Sequence, residues 1–310
     1  MTPAAKSVEK IQAFAPAGLA ATKFAAPQST REACDLLAEA YVKGLSCAVL
    51  AGGTDWIVDR HLMPIERAGE VGLVVDITGI AGFGEIAIKN DEGEERLLFG
   101  GGVTYWNLRT NALVTRTIPM LSEMAKDVGA VQIQTRGTLA GNIASASPAG
   151  DGVAALMALD ARLTLQSATA VRVVPLEGFF TGYRKTLMDP GELIVEIDVR
   201  VPRPSAWVRW RKVGTRLAQA ISKVALASVV GVTDGTIRYA RFGAASVAAT
   251  THALPRVRAY LEGRALADVQ DAALEAAVME DIRPIDDVRS TGEYRLHVAK
   301  ALVKRAIEAP

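Results

Sequence analysis

The sequence predicts a mixed α+β protein with two domains. From residue 23 to residue 201, short apolar strands alternate with amphipathic helices, which is typical of an α/β arrangement. The segment 202–205, Pro-Arg-Pro-Ser, then has the composition of a hinge. Beyond it, three strands come first and helices follow, which is the order of an α+β domain. A chain of 310 residues, half of them apolar, can bury enough surface for about two such domains.

The first domain opens with a strand, a helix and a second strand. The segment from Lys23 to Pro27 is a short strand that its proline stops. Ser29 and Glu32 form a capping box, which predicts a helix over Thr30–Val42. The apolar run Cys47–Ala51 is bounded by glycine and favours a strand buried on both faces.

The remaining elements follow from β-branched runs, capping residues and helical spacing. In the first domain the predicted strands are Val71–Ile77, Arg96–Gly100, Arg162–Gln166, Val171–Leu176 and Leu193–Val201, and helices begin at Thr104 and span Pro119–Val128. In the second domain the predicted strands are Trp207–Val213, Val224–Thr233 and Thr236–Phe242, and the predicted helices are Thr251–Leu261, Leu266–Met279 and Gly292–Ile307. Asp234-Gly235 predicts a hairpin between the last two strands.

Charge and cysteine content exclude several classes of protein. Thirty-five basic and 34 acidic residues leave a formal charge of +1, too little to attract nucleic acid or an anionic membrane through a broad field. Cys34 and Cys47 are too few to bind zinc or an iron–sulfur cluster, and we expect both to be buried, inert thiols, with a single disulfide as the alternative. Residues 1–21 have no sustained apolar run, which predicts a flexible extension, no membrane insertion and a cytoplasmic protein. The three histidines are far apart in sequence, so no catalytic side chain is predicted.

The first candidate binding loop is Ala51-Gly52-Gly53-Thr54-Asp55. Two consecutive glycines directly after a strand let backbone N–H groups approach an anion closely. Thr54 adds a hydroxyl for a phosphate oxygen, and Asp55 can accept a hydrogen bond from a sugar hydroxyl. An ordinary turn is the commoner explanation of such a loop when it is considered alone.

The second candidate loop runs from Gln134 to Asp151 and is built almost entirely from small and hydroxylated residues. So little side-chain volume is unsuited to a core helix or strand, and it favours a backbone wrapped around an extended polar ligand. Asn142 and Asp151 can hold hydroxyl groups of that ligand. A long surface loop is the alternative. Neither loop matches the usual mononucleotide or Rossmann fingerprint.

Four motifs in this order resemble the FAD-binding subunit of the molybdenum hydroxylases, the family that includes xanthine dehydrogenase and carbon monoxide dehydrogenase. The motifs are Ala51–Asp55, Arg136–Asp151, Phe179–Thr186 and Ile282–Ser290, and the resemblance spans residues 23–307. The last two motifs are more similar to the xanthine enzymes. The resemblance implies a two-lobed FAD-binding domain of the vanillyl-alcohol-oxidase-like (PCMH) type over residues 22–203. It also implies a C-terminal α+β domain with a three-stranded antiparallel sheet over residues 204–310.

The resemblance also implies which residues contact FAD. Both glycine loops hold the cofactor in the family, and the matching positions are Val49, Leu50, Ala51, Gly52, Gly53, Thr54, Asp55 and Trp56 from the first loop, and Thr138, Ala140, Gly141, Asn142, Ser145 and Asp151 from the second. Many relatives have glycine where this chain has Ala140, and alanine fits there only if the backbone φ is not positive.

Three further positions are implied to lie beside the flavin ring. Val128 aligns near a bulky apolar residue that lies beside the isoalloxazine in the xanthine enzymes, which implies that the aromatic contact of some relatives is lost here. Ile194 aligns with an aliphatic residue on the other face of the ring. Lys212 aligns with a lysine near the pyrimidine edge, where positive charge favours reduced, anionic flavin. An ordinary core residue at Ile194 and a solvated strand charge at Lys212 are the alternatives.

The function implied by the resemblance is electron transfer. A molybdopterin-binding large subunit oxidises the substrate and passes electrons to [2Fe–2S] clusters on a small partner subunit. FAD accepts the electrons from these clusters and passes them to NAD+ or another acceptor. A non-catalytic assembly subunit with a degraded flavin site is one alternative, motivated by Val128 and Ala140. A stand-alone flavoprotein oxidase is another.

Overall fold

We describe the protein from a computed structural model, which covers residues 22–62, 71–91 and 93–309. The chain divides into two compact units. The described part of the first unit consists of residues 22–62, 71–81, 166–170 and 189–193, and that of the second consists of residues 82–91, 93–165, 171–188 and 194–309. No helix in these ranges is long and apolar enough to cross a membrane. The extension expected over residues 1–21 lies outside the described residues.

The first unit is built on a small parallel sheet. Its elements are β1 (Lys23–Ala25), α1 (Thr30–Val42), β2 (Cys47–Leu50), α2 (Trp56–Leu62) and β3 (Leu73–Asp76). The strand order is β1–β3–β2, and both outer strands run parallel to β3. The predicted helix cap is confirmed, because the Ser29 hydroxyl accepts a hydrogen bond from the Glu32 amide at 3.2 Å.

The prediction that the strand at Cys47 is buried on both faces is wrong. Cys47 and Val49 are exposed, whereas Val74 and Val75 of the central strand β3 are fully buried. The reason is that β2 lies at the edge of its sheet, and an apolar sequence alone does not distinguish an edge strand from a central one. The expectation of two buried thiols therefore holds for Cys34 and fails for Cys47.

The second unit begins with two strands, a layer of helices and a further group of strands. The strands are β4 (Ile86–Asp91), β5 (Glu94–Gly100), β6 (Arg162–Gln166), β7 (Val171–Pro175), β8 (Phe180–Gly182), β9 (Lys185–Thr186) and β10 (Leu193–Arg200). The helices between β5 and β6 are α3 (Tyr105–Thr110), α4 (Ala112–Thr117), α5 (Pro119–Lys126), α6 (Val131–Gln134), α7 (Leu139–Ser145) and α8 (Asp151–Ala158). Five strands form one sheet in the order β4–β5–β10–β6–β7, and β8 pairs with β9.

The last part of the second unit contains a separate antiparallel sheet and the C-terminal helices. The elements are β11 (Ala206–Val213), β12 (Val224–Thr233), β13 (Thr236–Ala245), α9 (Pro255–Leu261), a short 3₁₀ helix (Leu266–Asp268), α10 (Asp271–Asp281) and α11 (Gly292–Ala306). The three strands pair in chain order, as predicted. Asp234 and Gly235 both have positive φ, at 50° and 69°, which is the conformation that a tight hairpin requires.

This antiparallel sheet carries apolar side chains on both faces. Trp210 and Ala227 belong to a core with α5 and α8, and Leu226 and Phe242 belong to a core with α9, α10 and α11. Helix α8 crosses the sheet so closely that a Cβ at Gly243 would lie 1.9 Å from the carbonyl oxygen of Ala154. Glycine at this position therefore lets α8 pack directly against β12 and β13.

Candidate functional site

The first candidate loop connects β2 to α2 within the first unit. Gly53 has a φ of +74°, and a Cβ there would lie 3.2 Å from the side chains of Leu50 and Ile57. The carbonyl of Gly53 accepts a hydrogen bond from the Ile57 amide at 3.0 Å, which starts the helix. The sequence needs glycine here for its left-handed backbone, as the double glycine predicted.

The amide groups of this loop point to an anion site. The N–H groups of Gly52, Gly53 and Thr54 have no hydrogen-bond acceptor among the described residues, and the Thr54 hydroxyl has no partner there either. Three consecutive donors without an internal acceptor, next to a helix that begins at Trp56, are well suited to phosphate oxygens. All eight residues predicted from this loop lie on β2, on the turn or at the first position of α2.

The second candidate loop has more regular structure than the sequence suggested. The expectation that no helix could form from these small residues is wrong, because the segment contains α7, overlaps the end of α6 and leads into α8. Thr138 caps α7 by accepting the Gly141 amide at 3.0 Å, and Leu139, Ala140 and Ile143 are buried. Small side chains here allow close helix packing, and short helices replace the predicted wrapped loop.

Ala140 lies in the first turn of α7. It does not have a positive φ, so the condition for alanine to replace glycine at this position is met. Alanine is also the better helix former, by about 1 kcal/mol per residue. The methyl group therefore gives no backbone reason to regard the site as degraded.

Asn142 has an unpaired side chain close to the start of α8. Its Oδ1 is buried without a hydrogen-bond partner among the described residues, although the residue as a whole is half-buried. A Cβ at Gly152 would lie 2.9 Å from this oxygen, and 2.7 Å from the hydroxyl of Tyr105. A glycine in the first turn of α8 thus keeps space open beside an amide that is available to bind a polar ligand.

Asp151, the first residue of α8, carries a buried carboxylate with two partners. The Lys212 ammonium donates to its Oδ2 at 2.6 Å, and the Ser222 hydroxyl donates to its Oδ1 at 2.6 Å. Burial raises the pKa of Asp151, and both partners oppose that rise by stabilising the ionised form. A negative charge at a helix N-terminus is also stabilised by the helix dipole.

Lys212 is held from two sides. Besides Asp151, it donates to the backbone carbonyl of Asp127 at 2.8 Å, just past the end of α5. Trp210, two residues earlier on the same face of β11, donates its indole N–H to the Asp127 carboxylate at 2.8 Å. Only 10% of the Lys212 side chain is exposed, so a solvated strand charge does not describe it. Lys212 joins the end of α5 to the start of α8, and we call it, with Asp127, Asp151, Trp210 and Ser222, the Lys212 cluster.

The predicted residues that remain are Val128, Ser145 and Ile194. Val128 follows Asp127 directly, is half-buried and packs against the main core, so the structure places it beside the Lys212 cluster. Ser145 donates to the Gly141 carbonyl at 2.9 Å in the last turn of α7. Ile194 is 5% exposed and belongs to the same core, which is the ordinary role of a strand residue.

Sequence reasoning did not assign three residues of this cluster: Asp127, Trp210 and Ser222. Asp127 and Lys212 are 85 positions apart, and Ser222 and Asp151 are 71 apart. The only signal for them in the sequence is the alternation of side chains along β11, which places Trp210 and Lys212 on one face.

Comparison with known proteins agrees with this geometry. Residues 20–204 match the family model described as the FAD binding domain in molybdopterin dehydrogenase, and residues 209–309 match the CO dehydrogenase flavoprotein C-terminal domain. The chain belongs to this family. Members of the family are the FAD-binding subunits of molybdenum-containing oxidoreductases, and this chain is such a subunit.

Individual relatives cover nearly the whole chain. The caffeine dehydrogenase subunit beta of Pseudomonas sp. (strain CBB1) is 32% identical over 91% of this chain and 92% of the relative. The carbon monoxide dehydrogenase medium chain of Hydrogenophaga pseudoflava is 28% identical over 93% of this chain and 96% of its own length. A solved structure of carbon monoxide dehydrogenase from that organism superposes with a TM-score of 0.82 at 28% identity, covering 92% of this chain and 96% of the other. The predicted fold class, a PCMH-type FAD domain followed by a domain with a three-stranded sheet, is confirmed.

The described residues fit the cofactor of this family. FAD carries a pyrophosphate, for which the unpaired amides of residues 52–54 are suitable donors, and hydroxyl groups, for which the Asn142 amide is a suitable partner. The prediction of FAD as the cofactor is confirmed by the family match. The assignment of individual residues to it stays a prediction.

Proposed function

We propose that this chain transfers electrons within a multisubunit molybdenum hydroxylase, from [2Fe–2S] clusters on a small subunit to NAD+ or another acceptor. A molybdopterin-binding large subunit would select and oxidise the substrate. Residues 22–203 form the FAD-binding domain in this proposal, residues 204–310 form the C-terminal domain, and the complex is cytoplasmic. The support is that relatives matching nearly their full length are named as subunits of dehydrogenases, and that two cysteines are too few to bind a cluster in this chain.

FAD supplies the redox chemistry when bound, because its isoalloxazine can exchange electrons singly or in pairs. The chain supplies binding, orientation and charge. In this proposal the amides of residues 52–54 bind phosphate oxygens, and Asn142 binds a cofactor hydroxyl. Val128 and Ile194 supply apolar contact to the ring.

The observation that carries the proposal is the buried Lys212–Asp151 pair, with the unpaired Asn142 close to the start of the same helix α8. It sharpens the role expected for Lys212. An ammonium 2.6 Å from a carboxylate forms a nearly neutral pair, so its field at the ring is weaker than that of a free lysine. In this proposal Asp151 acts mainly by positioning Lys212 and moderating its charge.

Potentiometry of the FAD-loaded chain tests this role. Asp151→Asn leaves the Lys212 charge uncompensated, so we expect the midpoint potential of bound FAD to rise, because positive charge favours the reduced anion. Ser222→Ala removes a hydrogen bond to Asp151 without changing any charge, and it is the matched control with a much smaller shift. Equal potentials in the wild type and Asp151→Asn would show that the pair does not act on the flavin.

Four measurements test the wider proposal. The purified chain should contain FAD and bleach with dithionite, and the reduced chain should form NADH when mixed anaerobically with NAD+. A colourless preparation that takes up no added FAD would instead favour the non-catalytic assembly subunit. Co-expression with molybdopterin and [2Fe–2S] subunits should give a complex that reduces this FAD on addition of substrate. Steady turnover of a small alcohol by the isolated chain would favour a stand-alone oxidase.

A further inference from the structure

An open surface cavity with charged side chains in its wall lies on the opposite face of β11 from Lys212. Side chains alternate along a strand, so Arg209 and Arg211 point away from the Lys212 cluster. They line a cavity of about 440 Å³ against the C-terminal end of α11, together with Ser228, Leu302, Arg305 and Glu308. We call it the arginine cavity.

The arginine cavity has an excess of positive charge. Its lining holds three guanidinium groups and the single carboxylate of Glu308, which leaves a formal charge of +2. No described carboxylate forms an ion pair with any of the three arginines. Arg209 donates to the backbone carbonyls of Arg305 and Glu308, which fixes it at the end of α11. Positive charge near a helix C-terminus is favourable, which explains part of this arrangement.

The other two arginines have donors to spare. Arg211 donates to the carbonyl of Trp210 at 3.0 Å, and the Arg305 side chain has no hydrogen-bond partner among the described residues. A guanidinium has five N–H donors in a planar fork that matches the oxygen atoms of a carboxylate or phosphate. Most of these donors are therefore available to a ligand.

A buried hydroxyl gives independent evidence for a ligand. Ser228 is 1% exposed, and its Oγ has no hydrogen-bond partner among the described residues. Ser228 pairs with Arg209 across β11 and β12 and lines the same cavity. A polar group buried without a partner is unfavourable, and a ligand oxygen would satisfy it.

We propose that the arginine cavity binds a small organic anion. Arg211 and Arg305 hold its carboxylate or phosphate group, Ser228 donates a further hydrogen bond, and Leu226 and Leu302 contact its apolar part. The volume lies within the range of small-molecule sites and exceeds what an inorganic ion requires. Buried leucines in the wall explain why an apolar body is expected.

Calorimetry on the full-length chain, loaded with FAD so that the flavin site is filled, tests the proposal. The probes are benzoate, phenyl phosphate, inorganic phosphate and the neutral compound phenol, all at constant ionic strength. We expect at least one of the two organic anions to bind once per chain, more tightly than inorganic phosphate, and phenol not to bind. The preferred probe distinguishes a carboxylate ligand from a phosphate ligand.

Variants locate the site. Arg211→Gln should raise the Kd about tenfold, the effect of losing one charge-assisted contact. Ser228→Ala should raise it several-fold and leave the melting temperature of the ligand-free chain unchanged or higher, because it removes an unpaired hydroxyl. Arg238→Gln, at an exposed arginine of β13 outside the cavity, is the matched control and should change nothing. The proposal would be overturned by any of three results: undiminished binding in both cavity variants, an affinity for phenol equal to that for the organic anions, or no binding of either organic anion.

Discussion

Replacing Lys212 by methionine removes the ammonium that pairs with the buried carboxylate of Asp151. The two side chains are 10% and 8% exposed, so water cannot replace the lost partner easily. Removing one member of a buried ion pair typically costs about 3–5 kcal/mol, because the remaining charge is left unpaired. We expect the Lys212→Met variant to lose stability in that range at neutral pH.

The loss of stability in Lys212→Met should depend on pH, and the sign of this dependence follows from the pKa of Asp151. Burial raises this pKa in the folded protein above its value in the unfolded chain. A carboxyl group whose pKa is raised by folding stabilises the folded state at pH values below the pKa of the unfolded chain. This contribution to stability is lost as the pH rises through the pKa of the folded protein. Without Lys212 the folded pKa rises further, because an opposing positive charge has gone. Stability of the variant should therefore fall with rising pH over a wider window, by at most about 1.4 kcal/mol per pH unit.

Urea denaturation of the chain between mildly acidic and mildly alkaline pH measures the effect. Lys185→Met, at an exposed lysine on β9, is the control and should stay within about 0.5 kcal/mol of the wild type. Adding Asp151→Asn to Lys212→Met removes the unpaired charge and should recover part of the lost stability. The reasoning is refuted if the loss in Lys212→Met equals that of the control, or if it does not diminish at acid pH.

Three further predictions concern other parts of the chain. Gly243→Ala should destabilise the protein by about 1–3 kcal/mol in thermal unfolding, because its Cβ would lie 1.9 Å from the Ala154 carbonyl oxygen. Asn142→Ala should lower FAD affinity about tenfold in a fluorescence titration and leave the stability of the FAD-free chain unchanged, since its Oδ1 has no partner to lose. A thiol reagent should label Cys47 in the folded chain and Cys34 only after unfolding, because Cys34 is fully buried and burial raises its pKa to about 11.

Each of these predictions has a simple control. Gly79→Ala places a Cβ in open space and should be nearly neutral, so equal destabilisation at both glycines would contradict the packing explanation. Gln132→Ala removes an exposed amide from α6 and should leave FAD affinity unchanged. Equal losses of affinity in Gln132→Ala and Asn142→Ala would therefore contradict a specific role for Asn142. For the two cysteines, labelling at equal rates in the folded chain would contradict the difference in burial.

Local signals in the sequence predicted much of the fold. The cap at Ser29 and the hairpin at Asp234-Gly235 depend on the preferences of a few adjacent residues, and both are confirmed. Strand β4 was not predicted, and the burial of Cys47 was wrong. In both cases the outcome depends on which strand lies alongside, for example β5 next to β4, and one sequence does not contain that information directly.

The candidate site shows the same limit more clearly. The glycines of the first loop could be identified because a positive φ, as at Gly53, requires a particular residue type. The Lys212 cluster could not be identified from local sequence, because the contacts of Lys212 with Asp127 and Asp151 join residues that are 85 and 61 positions apart. Family resemblance suggested a role for Lys212, but only the structure shows that its charge is paired.

Ala140 and Val128 motivated the alternative of a degraded flavin site, and the structure removes the argument based on Ala140. The backbone objection to Ala140 is removed, because this residue lies in the first turn of α7 without a positive φ. Val128 is the residue that still motivates this alternative. Because Asp127 next to it is held by Trp210 and Lys212, the backbone there is fixed independently of the side chain at 128. Under the proposed function, a different apolar side chain at this position would therefore alter contact with the ring and leave the surrounding framework in place.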